Sequence, residues 1–278
     1  MSSVQFRVAT RKDLSTMVEW AAAEGWNPGL DDADAFFAAD PEGFFVAERD
    51  GAAAACISVV NHSDDFAFLG FYICRPDLRG QGIGFGLWQH ALTHAGARTV
   101  GLDGVADQEA NYARSGFVRT GASVRMEGGL QAVPHPQVRV VDPADRATLL
   151  AMDRAANGVN RAAFASVWFD GADNRQTFVL VDGAQVIGFA TLRRCQQGVK
   201  AGPVVAPDAQ TALAILRGGL ATLPETPVII DVPSENRALL DALGAQGFVE
   251  TFATARMYRG PAPERSAALQ AIATMELG

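Results

Sequence analysis

Residues 72–84 read Tyr-Ile-Cys-Arg-Pro-Asp-Leu-Arg-Gly-Gln-Gly-Ile-Gly. Phe66 to Cys74, leading into this stretch, is apolar on both alternating faces, as a central buried strand is. Beyond it Ile83, Leu87, Ala91 and Ala95 recur every four residues, with Trp88 and Leu92 beside them, the stripe of a helix that buries one face and ends at Gly96. Arg79-Gly80-Gln81-Gly82-Ile83-Gly84 therefore joins a buried strand to a helix N-terminus. There the free backbone N–H groups and the positive dipole end favour a phosphate, and glycines let the backbone approach it. A pyrophosphate is the natural guest. The loop lacks the Lys-Ser/Thr pair of a nucleotide-triphosphate loop. A dinucleotide site stays open, because Asp103 lies 21 residues beyond Gly82, as a ribose-binding acid would. Against it, Phe85 stands where the third glycine belongs and the Arg75–Arg79 connection is too long for that fold's tight turn. The remaining alternative is that the glycines serve only close helix–strand packing.

Working outward, the region before the loop reads as a strand at Val4 to Ala9, helices at Lys12 to Glu24 and Asp31 to Ala39, and a hairpin of Phe44 to Arg49 with Ala52 to Asn61 about Asp50-Gly51. After the Gly82 helix come a strand at Thr99 to Asp103, a helix at Asp107 to Ser115 and a last strand at Phe117 to Met126. The order is β-α-α-β-β-β-α-β-α-β. The pattern then recurs. Gly116 to Gly129 (GFVRTGASVRMEGG) and Gly247 to Gly260 (GFVETFATARMYRG) share eight of fourteen positions at an offset of 131. Within one residue of that offset Arg7-Val8 matches Arg139-Val140, and Asp50-Gly51 matches Asp182-Gly183. The chain is thus expected to hold two copies of one domain, residues 1–129 and 138–278, joined by a stiff linker at 130–137 that carries two prolines.

A length of 278 residues suits two domains at roughly 150 residues each. With 49% hydrophobic and 19% charged residues the chain is globular. A net charge of −8 without a Lys/Arg stripe disfavours a nucleic-acid or anionic-membrane surface. Cys56, Cys74 and Cys195 show no CxxC or Cys/His spacing, so neither a disulfide framework nor a zinc site is expected. Nor is another metal: His62 and His135 are isolated, and His90/His94, four apart on a helix, lack an HExxH-type partner. The start has no apolar signal region and no run of 18 uncharged apolar residues occurs, which together with the cysteines leads us to expect a cytoplasmic protein, monomeric or homodimeric.

The stretch from Tyr72 to Gly84, its amphipathic helix, and Asn111-Tyr112-Ala113-Arg114-Ser115-Gly116-Phe117 resemble the GCN5-related N-acetyltransferases (GNAT). Glu24-Gly25-Trp26-Asn27-Pro28, Gly101 to Val105 and Arg256 to Gly260 resemble a bacterial subgroup with a second, divergent acetyltransferase-like domain. The resemblance implies an α+β class, two tandem folds each with a mixed, mostly antiparallel sheet flanked by helices. It also implies an enzyme moving an acetyl group from acetyl-CoA to the primary amine of a small molecule or peptide by direct attack in a ternary complex. The pyrophosphate would lie on the amides of Arg79, Gly80, Gln81, Gly82, Ile83 and Gly84, and the pantetheine arm beside Ile73 and Cys74 like an added strand. Cys74 then reads as a small buried hydrophobe rather than a nucleophile. Tyr112 stands at the family's position for the general acid that protonates the departing sulfur, or else packs on the pantetheine. Asn111 bonds the cofactor or caps its helix. Asp103 is the first candidate for the amine's general base, ahead of Glu24, and otherwise a turn residue before Gly104. Glu24, Trp26 and Asn27 lie in the loop that edges the acceptor pocket, as substrate contacts or as loop anchors.

In the second copy the corresponding segment, Gly202 to Leu213, has no glycine cluster and no arginine after its strand. A CoA site is therefore expected in the first copy alone, with the second walling the acceptor side and Pro261 to Gly278 adding a short element on the outside. A competing function is a CoA-binding sensor or interaction module whose acceptor site is vestigial.

Overall fold

In the computed structural model, which describes residues 4–278, the chain folds into thirteen strands and eight α-helices. The first copy runs β1 (Val4–Val8), α1 (Arg11–Ala23), α2 (Asp32–Ala39), β2 (Phe44–Arg49), β3 (Ala52–Asn61), β4 (Phe66–Cys74), α3 (Ile83–Leu92), β5 (Thr99–Gly104), α4 (Glu109–Arg114) and β6 (Val118–Gly128). The second repeats it with β7 (Val138–Val140), α5 (Arg146–Asn157), α6 (Ala162–Phe169), β8 (Arg175–Asp182), β9 (Gln185–Arg194), β10 (Val199–Val205), α7 (Ala209–Leu220), β11 (Val228–Pro233), α8 (Arg237–Ala245) and β12 (Val249–Arg259). A short β13 (Leu269–Ala271) follows. Local devices recur with the sequence. Thr10 and Asp13 form a capping box at α1 while Arg7 pairs with Asp13 at 2.7 Å, and Asp142 and Asp145 repeat it ahead of α5 with Arg139 on Asp145 at 2.6 Å.

Each copy is a mixed sheet in which one pair is parallel, β4 with β5 and β10 with β11, and the remaining pairs are antiparallel. The two sheets are not separate. The strand order is β1-β2-β3-β4-β5-β12-β6-β11-β10-β9-β8-β7, so the copies exchange their last strands. β12 pairs with β5 from Ala255 opposite Gly104 to Arg259 opposite Val100. β6 pairs with β11 from Val228 opposite Gly128 to Pro233 opposite Ser123, and β6 and β12 pair with each other. These exchanged strands are the two repeat segments that reveal the duplication in the sequence. The 130–137 segment then crosses the second half to the far sheet edge, with Leu130 packed on its core and the Val133 amide on the Arg217 carbonyl at 3.1 Å.

α3 and α4 cover one face of the first half, where Leu87, Trp88, Tyr112 and Phe117 pack on Ile57, Leu69, Leu102 and Met257. On the other face α1 and α2 meet α5 and α6 in a core common to both halves, with Phe36 5.7 Å from Phe71, 6.4 Å from Phe164 and 6.0 Å from Trp168. Truncating a fully buried aromatic such as Trp168 removes about 3–5 kcal/mol of stability. Because that core and both exchanged strands are shared, the halves fold as one unit.

The Pro261–Gly278 segment departs from expectation. It is inside rather than outside: Leu269 to Ala273, Thr274, Glu276 and Leu277 are all buried. Its unpatterned sequence carries no period because it is packed on several sides.

Candidate active site

β4 and β5 pair only from Phe66 opposite Thr99 to Leu69 opposite Leu102, after which they part. The cause lies in β4. Phe71 takes φ +48, a left-handed conformation that costs a bulky residue free energy, and the register against β3 slips between Gly70 opposite Ser58 and Ile73 opposite Cys56. This bulge turns the end of β4, with Ile73 and Cys74, away from β5 and leaves its β5-facing backbone edge without a strand partner among the described residues. A one-turn helix at Pro76–Leu78 leads to the glycine loop. Gly80 and Gly82 take φ +77 and +78, which glycine adopts without strain, and Gly82 caps α3 with no side chain bonded to the helix amides. A Cβ at Gly84 would come within 2.9 Å of the Tyr72 hydroxyl, so this glycine makes room for a phenol over the first turn of α3. The slot thus runs from an unpaired strand edge to an uncapped helix N-terminus, and these groups fit an acyl-CoA, an extended amide-bearing arm ending in a pyrophosphate.

Tyr112 lies on this side of the sheet, buried, its ring stacked on Trp88 at 5.4 Å and lying against Gly104. Burial, with Tyr72 nearby, pushes its phenol far above the ordinary range, so it stays protonated and able to donate. Tyr72 meets the other side of Trp88 at 5.2 Å and is raised by burial too. Sequence reading passed over Tyr72, whose signal was its place two residues before the loop-bearing connection. Cys74 is half-buried and its thiol is raised by burial, the state of an inert thiol rather than a thiolate nucleophile.

The remaining candidates sit as follows. Asp103 projects to the opposite sheet face, fully enclosed, where Arg256 donates to it through Nε at 2.8 Å and Nη2 at 2.5 Å, Ser123 Oγ at 3.0 Å and Thr254 Oγ1 at 3.2 Å. A carboxylate with four donors has little capacity to take up a further proton. Its partners come from the exchanged strands β6 and β12, which makes Asp103 a latch between the halves. Glu24 is on the surface at the end of α1, where Arg79 Nη2 donates to it at 2.6 Å while Arg79 Nε donates to the Cys74 carbonyl at 2.9 Å. Gln81 accepts from Arg49 at 2.5 Å. Asn111 is exposed and bonded to Gln108 and Arg114 within α4, so its side chain does not reach the slot. Asn27 is an anchor: Nδ2 donates to the Gln197 carbonyl at 2.8 Å and Oδ1 accepts from the Gln197 amide at 3.2 Å. The Trp26 carbonyl accepts from Lys200 at 2.7 Å and Arg125 at 3.3 Å, and its ring packs on the shared core. His94 donates to or accepts from Asp40 at 2.8 Å, and no cluster of three metal-ligating side chains occurs among the described residues.

The second half has the same parting of strands, with β10 and β11 paired only from Val199–Ala201 to Val228–Ile230. Here the gap is filled. β13 pairs with β10 at Val204 and Val205, the Ala206 amide donates to Ala268 at 2.9 Å, and the Ile272 amide donates to the Asp231 carbonyl at 3.0 Å. Asp208 caps α7 through the Thr211 amide at 2.7 Å, a bond that holds its carboxyl below the usual range, so a built-in anion already satisfies this helix N-terminus. Among the described helices none is long and apolar enough to cross a membrane.

Residues 11–117 match the model of the acetyltransferase (GNAT) family and residues 149–270 match an acetyltransferase (GNAT) domain model. A holothin acyltransferase of Pseudoalteromonas sp. (strain SANK 73390) is 36% identical over 278 residues, covering 97% of this chain and 93% of that protein. Among solved structures, a putative acetyltransferase from Pyrococcus horikoshii superposes with a TM-score of 0.82 at 18% identity, covering 99% of this chain and 96% of that one. A tandem GNAT protein from the clavulanic acid biosynthesis pathway gives 0.60 at 17% identity, over 94% and 100% of the two chains. With a slot shaped for an acyl-CoA in one half and a second copy of the same fold beside it, the chain belongs to the GNAT acyltransferases, as a member with a second, C-terminal GNAT domain.

Proposed function

We propose that the protein transfers an acetyl group from acetyl-CoA to the amine of a small molecule, in residues 1–129, by direct attack within a ternary complex. The observation that carries this reading is the contrast between the two slots: one open and ending in uncapped amides, the other filled by β13 and capped by Asp208. Acetyl-CoA supplies the activated acyl carbon. The amides of Arg79 to Gly84 hold its pyrophosphate, and the free edge of Ile73 and Cys74 pairs with its pantetheine amides. As the amine nitrogen bonds to the acyl carbon, the carbon–sulfur bond breaks and the sulfur leaves with the electron pair. Tyr112, held protonated by burial, donates the proton it needs. The amine's own proton passes to a carboxylate. Glu24 suits that task better than Asp103, since it is solvent-accessible and carries a single ion pair, to Arg79.

The 36%-identical relative acts, by its name, on holothin, which makes holothin the first acceptor to test beside polyamines, aminoglycosides and short peptides. A thiol-release assay with acetyl-CoA over this panel is expected to show amine-dependent CoA production. CoA release independent of every amine, with tight acetyl-CoA binding, would instead establish a binding module.

A further inference from the structure

The loop from Glu24 to Asp31, between α1 and α2, belongs to the first half by sequence, yet most of its anchors come from the second. The Trp26 carbonyl receives Lys200 Nζ at 2.7 Å and Arg125 Nη1 at 3.3 Å. Asn27 is doubly bonded to the backbone of Gln197, and the Leu30 amide donates to the Arg194 carbonyl at 3.0 Å. Asp31 accepts from the Asn174 amide at 2.6 Å, and its carbonyl from Arg175 at 2.8 Å. At its other end the same loop is tied by Glu24 to Arg79, the first residue of the glycine loop. It is strung between the cofactor slot and the β9–β10 turn.

Lys200 stands out in this set. It is 2% exposed, and its one hydrogen bond is to a neutral carbonyl. Its charged surroundings, Arg125, Arg193, Asp231 and Glu276, nearly cancel. Burial disfavours the ammonium, a large cost for one carbonyl contact unless that contact matters. We propose that Lys200 is a positioning residue: by holding the Trp26 carbonyl, with Gln197 holding Asn27, the second half fixes the loop that walls the acceptor side of the first half's slot. This role rests on the acetyl-transfer reading for its catalytic meaning but not for its geometry. It gives the half without a cofactor slot a task in the reaction.

Amide hydrogen exchange on the full chain tests it. Lys200→Met is expected to speed exchange at Trp26 and Leu30 about tenfold or more, while amides of β10 and of the α3 turn keep their protection. Acetyl-CoA affinity by calorimetry is expected to stay within about twofold, whereas with holothin as acceptor KM rises about tenfold and kcat changes less. Unchanged exchange at Trp26 and Leu30 overturns the proposal, whether or not any amine is acetylated. Should Lys200→Met fail to fold, Asn27→Gly carries the test, because Asn27 is exposed and glycine accepts its φ of +51. It removes both Gln197 bonds and must accelerate the same amides; if it does not, the clamp is refuted.

Discussion

Replacing Asp103 by asparagine separates the two roles its position allows. The carboxylate is fully enclosed, its Arg256 partner is 4% exposed in the side chain, and four donors converge on it. Burial pulls the Arg256 guanidinium down and the charge of Asp103 more than restores it, so the pair is fully ionised. Asp103→Asn keeps the shape but leaves a buried guanidinium without its counter-charge, and breaking a buried pair from one side costs about 3–5 kcal/mol. Arg256→Met should cost a similar amount by stranding the carboxylate. The double variant, with no charge left to strand, should recover most of the loss, giving a coupling energy of at least about 2 kcal/mol in urea denaturation. CoA release by the Asp103→Asn protein, measured well below its melting temperature, should fall less than about tenfold, far short of the loss expected of a general base. Additive single effects within about 0.5 kcal/mol, together with a drop in kcat of a hundredfold or more, would refute the latch and return Asp103 to the chemistry.

Tyr112→Phe should lower kcat by about a hundredfold or more while acetyl-CoA affinity by calorimetry stays within about twofold, since the ring stack on Trp88 survives and only the proton donor is lost; an unchanged kcat would remove Tyr112 as the acid. Gly82→Ala forces an alanine to φ +78, a strain of about 1–2 kcal/mol in the conformation that presents the loop amides, and should weaken the acetyl-CoA-induced rise in melting temperature; a full-sized rise would show that the loop does not hold the cofactor. His62, buried with Nε2 on the Leu277 carbonyl at 2.9 Å, has its pKa lowered by burial to about 4. Between its unfolded value near 6.5 and that value the unfolded chain binds the extra proton, so stability falls as pH drops through this window, by roughly 3 kcal/mol in all. His62→Gln should flatten the pH dependence of urea midpoints there, and identical slopes would contradict the assignment.

How much of this was legible in sequence depends on the range of the signal. The glycine loop could be read because its requirements are local: two left-handed positions and a helix start, each set by residues within a few positions of one another. The strand exchange could not. β6 and β12 descend from one pattern, and either would satisfy the edge of β5 or of β11, so period-two alternation finds the strands without naming their neighbours. The same blindness hid the partners of Asp103, since Arg256 arrives from 153 positions away, and those of Asn27, which binds a backbone 170 positions on. Loss of the second slot was visible as missing glycines, whereas its filling by Leu269–Ala271 was not, because three buried residues have no period to detect.

The central claim is that duplication left one working slot and one filled by the chain itself. Isothermal calorimetry of acetyl-CoA with the full-length protein tests it most directly: one site per chain, abolished by a bulky substitution such as Gly84→Trp in the first slot, is the predicted result. Two sites per chain, or a single site that survives Gly84→Trp, would contradict it.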